Sequence, residues 1–198
     1  MKKSLLLSIL AAAIPFVVGG CATKAHYVET GGHESLVTVN SINIQDFIQA
    51  ANSATSDLLA SGALDRVSTP PAVIAISRIV NNTGRQIDTD LLTKKIRVAV
   101  LDSGKALTTT TMGLGGTAED PMAKGLQQEN EFKNDQKVTR TPDFTLSGKI
   151  IQLAVKAGNT SQSTYSFQLS LTDSKTGLAV WEGEKEITKQ GTRSSVGF

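Results

Sequence analysis

The 198-residue chain has a single cysteine, Cys21, so no disulfide can close within it and its stability must come from an ordinary apolar core. Its only histidines, His26 and His33, lie upstream of the patterned region that begins at Asn43. A histidine-activated nucleophile is therefore excluded from the folded part. No G-x-S-x-G and no H-E-x-x-H occurs, which removes the common hydrolase and zinc-protease signatures. No proline stands between Cys21 and Pro70, so that stretch is not a stiff polyproline spacer. No apolar run reaches the roughly 20 residues of a membrane-spanning helix. Lys+Arg number 20 against 18 Asp+Glu, with no basic stripe, and a nucleic-acid partner is excluded on that ground.

What is present begins at the N-terminus. Met1-Lys2-Lys3 precedes an apolar run from Ser4 to Val18, interrupted by Pro15, and then Gly19-Gly20-Cys21. A positive start, a short apolar stretch and small residues form a secretory signal. With the cysteine in place the segment resembles a bacterial lipobox, which implies cleavage before Cys21 and lipidation of that residue. Several acyl chains on one residue anchor firmly, since each buried CH₂ contributes about 0.8 kcal/mol. Ala22 stands where such lipoproteins carry aspartate for inner-membrane retention. The implied address is the outer membrane, facing the periplasm. Without residues 1–20 the cationic count falls to 18, equal to the acids, because the leader holds two lysines and no acid.

The chain then divides into a tether over 21–42, one globular domain over 43–190 and a frayed tail over 191–198. Residues 22–42 show no sustained period and contain Gly31-Gly32. His26, His33, Glu29 and Glu34 lie there, but their spacing matches no metal-ligand set, and solvated side chains are the simpler reading. Ile44, Phe47, Ile48, Ala51, Leu58 and Leu59 mark a helical face that stops at Gly62. Ala72–Val80 is apolar on both faces and reads as a central strand, followed by a turn at Asn81-Asn82-Thr83-Gly84.

Asp88 or Thr89 caps a second helix that runs to about Ser103 and ends at Gly104. Leu92, Ile96, Ala99 and Val100 form its sheet-facing stripe. Leu91, Val98 and Leu101 form a second stripe, expected to be buried in the fold. A short strand over Ala106–Thr111 and a helix near Asp120–Glu131 come next.

Asp143–Val155 is a strand whose inward phase shifts from Phe144, Leu146 and Ile150 to Ile151, Leu153 and Val155, which predicts a bulge within it. Tyr165, Phe167, Leu169 and Leu171 alternate with polar residues, and a return strand over Leu178–Thr188 turns Trp181 and Ile187 inward. Glu182, Glu184 and Glu186 alternate on its other side as a solvated face. The sum is an α+β domain: one mixed sheet that finishes as an antiparallel meander, with helices packed against it.

One motif invites a cofactor reading. Gly113-Leu-Gly115-Gly-Thr-Ala118 matches the G-x-G-x-x-A of dinucleotide turns. The preceding Thr108–Thr111 is no buried aliphatic strand, and Gln127–Thr141 is too polar to lead into another parallel one. A glycine-rich loop is the reading taken, with no cofactor, no metal and no enzymatic activity.

Several segments in one order carry a resemblance: Ser56-Asp-Leu-Leu-Ala60, Pro71–Arg78 leading to Val80-Asn-Asn-Thr83, Leu92–Arg97 closing on Asp102-Ser-Gly-Lys105, Leu146-Ser-Gly-Lys149, Tyr165–Leu169, Leu171–Gly177 and Val180–Lys189. Together with the lipobox they resemble the LpoB family of outer-membrane lipoproteins. The resemblance implies a non-enzymatic, monomeric activator of a class A penicillin-binding protein, docking on that synthase's non-catalytic accessory domain. Arg78, Asn82 and Arg85, at a strand end and its turn, are the candidate contact residues. The alternative is a structural or secretion lipoprotein related in fold to the curli-secretion component. That would need apolar-outward spanning strands, and only Tyr165–Leu171 alternates well.

Overall fold

The computed structural model describes residues 25–111, 119–134 and 140–192. Cys21, the Gly113–Ala118 motif and the tail beyond Thr192 lie outside the described residues. Helix α1 (Ile44–Ala60) opens the domain, and a 3₁₀ turn (Ala63–Arg66) follows it. Strand β1 (Ala72–Asn82), helix α2 (Asp90–Asp102) and strand β2 (Ala106–Thr108) form a parallel βαβ unit. Helix α3 (Pro121–Asn134) precedes the meander β3 (Phe144–Ala157), β4 (Thr160–Asp173) and β5 (Ala179–Thr192). The sheet order is β2-β1-β3-β4-β5, with β1 parallel to both neighbours and the rest antiparallel. This is the α+β architecture that the sequence pattern predicts.

Helices α1 and α2 pack on each other and cover one face of the sheet. Phe47, Ala50, Ala51, Ala54 and Leu58 of α1 are buried, as are Leu92, Ile96 and Val100 of α2. They meet Ile74, Ile76, Ile79, Phe144, Leu146, Ile150, Tyr165, Phe167 and Leu171 from the strands. Phe47 meets Phe167 edge to face, ring centroids 6.2 Å apart, an arrangement aromatic pairs favour. The stop signals hold: Gly62 and Gly104 both adopt φ +68°, a left-handed turn open to glycine, and the Gly104 N–H caps the Leu101 carbonyl at 3.0 Å.

The structure corrects four expectations. The irregularity assigned to β3 belongs to β1. The β3–β4 register runs unbroken from Phe144↔Asp173 to Ala157↔Thr160, whereas Ile76 to Ile79 of β1 spans Leu146 to Gly148 of β3. The covered positions of β3 are Phe144, Leu146, Gly148, Ile150 and Gln152, so a glycine and a glutamine interrupt the apolar period and imitate a phase slip. Leu153 and Val155 are consequently 67% and 56% exposed, not inward.

The second α2 stripe is also exposed: Leu91, Val98 and Leu101 are on the surface. The buried residues bordering it are Thr93 and Arg97, and Arg97 is ion-paired with Glu119. Burial pushes the Arg97 guanidinium below its ordinary pKa, and its Nε has no hydrogen-bond partner among the described residues.

Third, β1 is buried on both faces only in its first half; Ser77, Arg78 and Val80 are exposed, and the strand continues through Asn81 and Asn82, which the sequence reading assigns to a turn. Fourth, the return strand, read from sequence as ending at Thr188, continues to Thr192, and Lys189 within it is buried.

Candidate functional site

Both packed helices lie on one side, and among the described residues the other face of the sheet is exposed around Val80, Lys149 and Glu184. Strand alternation puts polar side chains on it in rows that the register defines. One row runs Val80, Lys149, Gln168, Glu184 across β1, β3, β4 and β5. A second runs Asn82, Ile151, Ser166, Glu186, and a third Ser147, Ser170, Glu182 beside Arg78. The rows bound a shallow groove of about 940 Å³. Gly148 and Gly183 give its floor bare backbone. On the covered side a Cβ at Gly148 would fall 2.5 Å from Leu169 Cδ2, and one at Gly183 would fall 2.4 Å from Trp181 Cζ2. Those larger side chains lean across the glycines and fill the space.

The groove is electrically divided. Arg78 and Lys149 stand on the β1–β3 side, Glu182 and Glu184 on β5. Ser166 Oγ and Gln168 Nε2 both donate to Glu184 Oε1, at 2.5 and 2.8 Å, and Ser170 Oγ donates to Glu182 Oε1 at 3.3 Å. The Gln168 and Ser166 hydrogen bonds, helped by the Lys149 charge, hold the Glu184 carboxyl below its usual range. These contacts orient the carboxylates without burying them. No group of three or more metal-ligating side chains occurs among the described residues. The groove offers fixed charges of both signs and hydrogen-bonding groups.

Of the sequence-named candidates, Arg78 and Asn82 line this groove together. Arg85 does not line it. Its carbonyl accepts from Asn81 Nδ2 at 2.8 Å and Thr83 Oγ1 at 3.0 Å, closing the turn after β1. Its charge bears instead on the Tyr165 phenol of the covered face. Lys149 is the groove residue that sequence reasoning passed over. It stands beside buried Ile150 and so on the opposite face of β3, and its row is legible only once the register with Val80 and Gln168 is known.

A second feature fixes where the chain enters the domain. Lys189 Nζ donates to the Ser41 carbonyl, to Asn43 Oδ1 at 2.9 Å and to Asp46 Oδ2 at 2.5 Å, and it lies 5.0 Å from the Tyr165 ring centroid. Tyr165 Oη donates to the Val39 carbonyl at 3.3 Å, and Val39 lies against Gly191 where a Cβ would meet it at 2.7 Å. Residues 39–43 are thereby hydrogen-bonded to β4 and β5, and the segment leaves the sheet at Val39.

A family model described as the peptidoglycan-synthase activator LpoB matches residues 46–187. The chain belongs to the LpoB family. LpoB proteins are outer-membrane lipoproteins and regulatory activators rather than a catalytic family. The match runs from Asp46 to Ile187 and so takes in nearly all of α1, α2, strands β1 to β4, β5 as far as Ile187, and the groove. Solved structures similar to this chain include the LpoB C-terminal domain from Salmonella enterica, 18% identical over 72% of this chain and 98% of that one, with a TM-score of 0.43. The NMR structure of E. coli LpoB is 15% identical over 96% of this chain and 91% of that one, TM-score 0.42. The lipoprotein GNA1162 from Neisseria meningitidis is 17% identical over 63% and 88%, TM-score 0.35. No curated protein matches the chain. The LpoB match lends the curli-secretion alternative no support.

Proposed function

We propose that this LpoB-family chain is a lipid-anchored activator that stimulates a class A penicillin-binding protein by contact with that synthase's non-catalytic accessory domain. The observation that carries the reading is the family match over residues 46–187. In this reading Cys21 is lipidated and holds a monomer in the outer membrane, facing the periplasm, with no enzymatic activity of its own. The open groove is the docking surface. A contact surface between two folded domains works through a few anchored side chains rather than through area. Arg78 and Lys149 supply cations there, and Asn82 supplies an amide. Arg85, in the turn after β1 and outside the groove, is a lesser contact in this reading.

The test is glycan synthesis from labelled lipid-linked precursor by the cognate synthase, with and without the soluble protein from residue 25 onward. Stimulation and direct binding of the accessory domain are expected. Arg78→Ala combined with Asn82→Ala is expected to weaken binding by roughly tenfold or more, and Arg85→Ala by less. Neither binding nor stimulation with any class A synthase of the source organism would overturn the activator reading. Full stimulation by the Arg78/Asn82 variant would move the interface elsewhere.

A further inference from the structure

The sheet ends in an unusual edge. On the β1 side the terminal strand, β2, has three residues. On the other side the terminal strand, β5, has 14 residues, and among the described residues nothing pairs with its far side. Its partner β4 uses only one side of it. Alternate β5 residues therefore direct both N–H and C=O away from the sheet, a ready template for one more strand.

The side chains of β5 specify what that strand must carry. Toward the open face stand Glu182, Glu184 and Glu186, at every second position. A residue directly across a strand pair places its Cβ about 4.5–5.5 Å away, close enough for charges to attract or repel. A second copy of the chain would set these acids against its own in an antiparallel or a parallel pairing, so self-pairing is opposed. A strand with Lys or Arg at alternate positions would meet all three. Toward the covered face stand Trp181, Gly183, Lys185 and Ile187, with Trp181 and Ile187 only partly buried at the margin of the core. Aliphatic residues at the intervening positions would complete that margin beside the Trp181 ring, which already covers Gly183.

We infer that the β5 edge accepts an extended polypeptide segment in which Lys or Arg alternates with aliphatic residues, added as a sixth strand. The partner is recognised through backbone hydrogen bonds for affinity and through the glutamate row for choice. This goes beyond the synthase reading and does not depend on it, because neither the probe nor the readout involves a synthase.

The probe is the heptapeptide Thr-Lys-Val-Lys-Val-Lys-Thr, blocked at both ends, with Thr-Glu-Val-Glu-Val-Glu-Thr as its counterpart. The protein is the full chain in detergent. Binding is followed by calorimetry, and β5 amide exchange by NMR. The lysine peptide is expected to bind about tenfold or more tighter than the glutamate peptide, from three cross-strand charge pairs. On binding, every second β5 amide between Trp181 and Lys189 should become slow to exchange. N-methylation of the peptide at alternate residues should abolish binding in one phase and spare it in the other. The variant Glu182→Gln/Glu184→Gln/Glu186→Gln should lose the lysine preference while keeping its β5 protection pattern. Binding without new β5 protection, or insensitive to N-methylation in both phases, would overturn edge addition in favour of docking on the face. Equal binding of the two peptides would overturn the charge selection. A concentration-dependent dimer protected at β5 would show that the edge serves a second copy and would overturn the proposal.

Discussion

Lys189 and Asp46 stand 2.5 Å apart, each side chain less than a tenth exposed, and they join the last strand to the first turn of the first helix. Asp46 also accepts the Asn43 N–H at 2.7 Å, so one carboxylate caps α1 and neutralises the buried ammonium. The pair is supplemented by the Ser41 carbonyl and the Asn43 amide, which satisfy the remaining protons of Nζ.

Removing one partner leaves the other charged and buried. Lys189→Met is expected to destabilise the protein by about 3 kcal/mol or more. Adding Asp46→Asn to it should cost much less than the two single changes summed. Denaturant unfolding of the two single variants and the double gives the coupling. Simple additivity, or a loss under about 1 kcal/mol for Lys189→Met, would show that the ion pair is solvated and has no clamping role.

Trp181 and Gly183 constrain each other. Any side chain at 183 enters space that the indole occupies, so Gly183→Val is expected to cost about 1–3 kcal/mol by overpacking. Trp181→Ala removes a partly buried ring and is expected to cost about 2–3 kcal/mol, below the fully buried range. With the indole gone, the Gly183→Val change should become nearly neutral. Thermal melts of the four proteins decide this, and a Gly183→Val penalty that persists without Trp181 would locate the strain in the backbone.

Two exposed carboxylates make stability depend on acidity. The Asp173 carboxyl is held below its usual range by the backbone and side-chain hydrogen bonds of Thr176, and Glu184 by those of Gln168 and Ser166. A lowered folded pKa means the unfolded chain takes up the proton first. The contribution is therefore complete above the ordinary values of 3.8 and 4.5, and is lost as pH falls through the lower folded values. Asp173→Asn and Glu184→Gln should flatten the acid limb of a melting-temperature profile and leave its shape between pH 6 and 8 unchanged. Parallel acid limbs for wild type and both variants would contradict this.

Anchoring is expected to rest on Cys21 alone. Among the described residues no helix is long and apolar enough to cross a membrane, and the chain without its first 20 residues carries equal numbers of Lys+Arg and Asp+Glu. Cys21→Ala should therefore shift the protein out of the outer-membrane fraction. Retention of the variant there, with residues 1–20 still attached or not, would mean that another segment binds the membrane.

The sequence by itself determined the elements whose period is set locally. The faces of α1 and α2, the clean alternation of Tyr165, Phe167, Leu169 and Leu171, and the glycine stops at 62 and 104 were legible, because helix and strand periods and left-handed turns depend on neighbouring residues. It also determined the family. The register was decided only in three dimensions. Gly148 and Gln152 occupy covered positions of β3 for reasons that lie on other strands: Leu169 fills the gap over the glycine, and Ser163 and Tyr165 meet the glutamine amide. No window of β3 alone contains that information, so the period seemed to break there and the true irregularity in β1 stayed hidden. Lys189 fell just outside the strand read from sequence because its partners, Ser41, Asn43 and Asp46, lie more than 140 residues away. The groove follows the same logic. Val80, Lys149, Gln168 and Glu184 are separate positions one strand at a time, and become one surface only when hydrogen bonding between four strands sets them in a row.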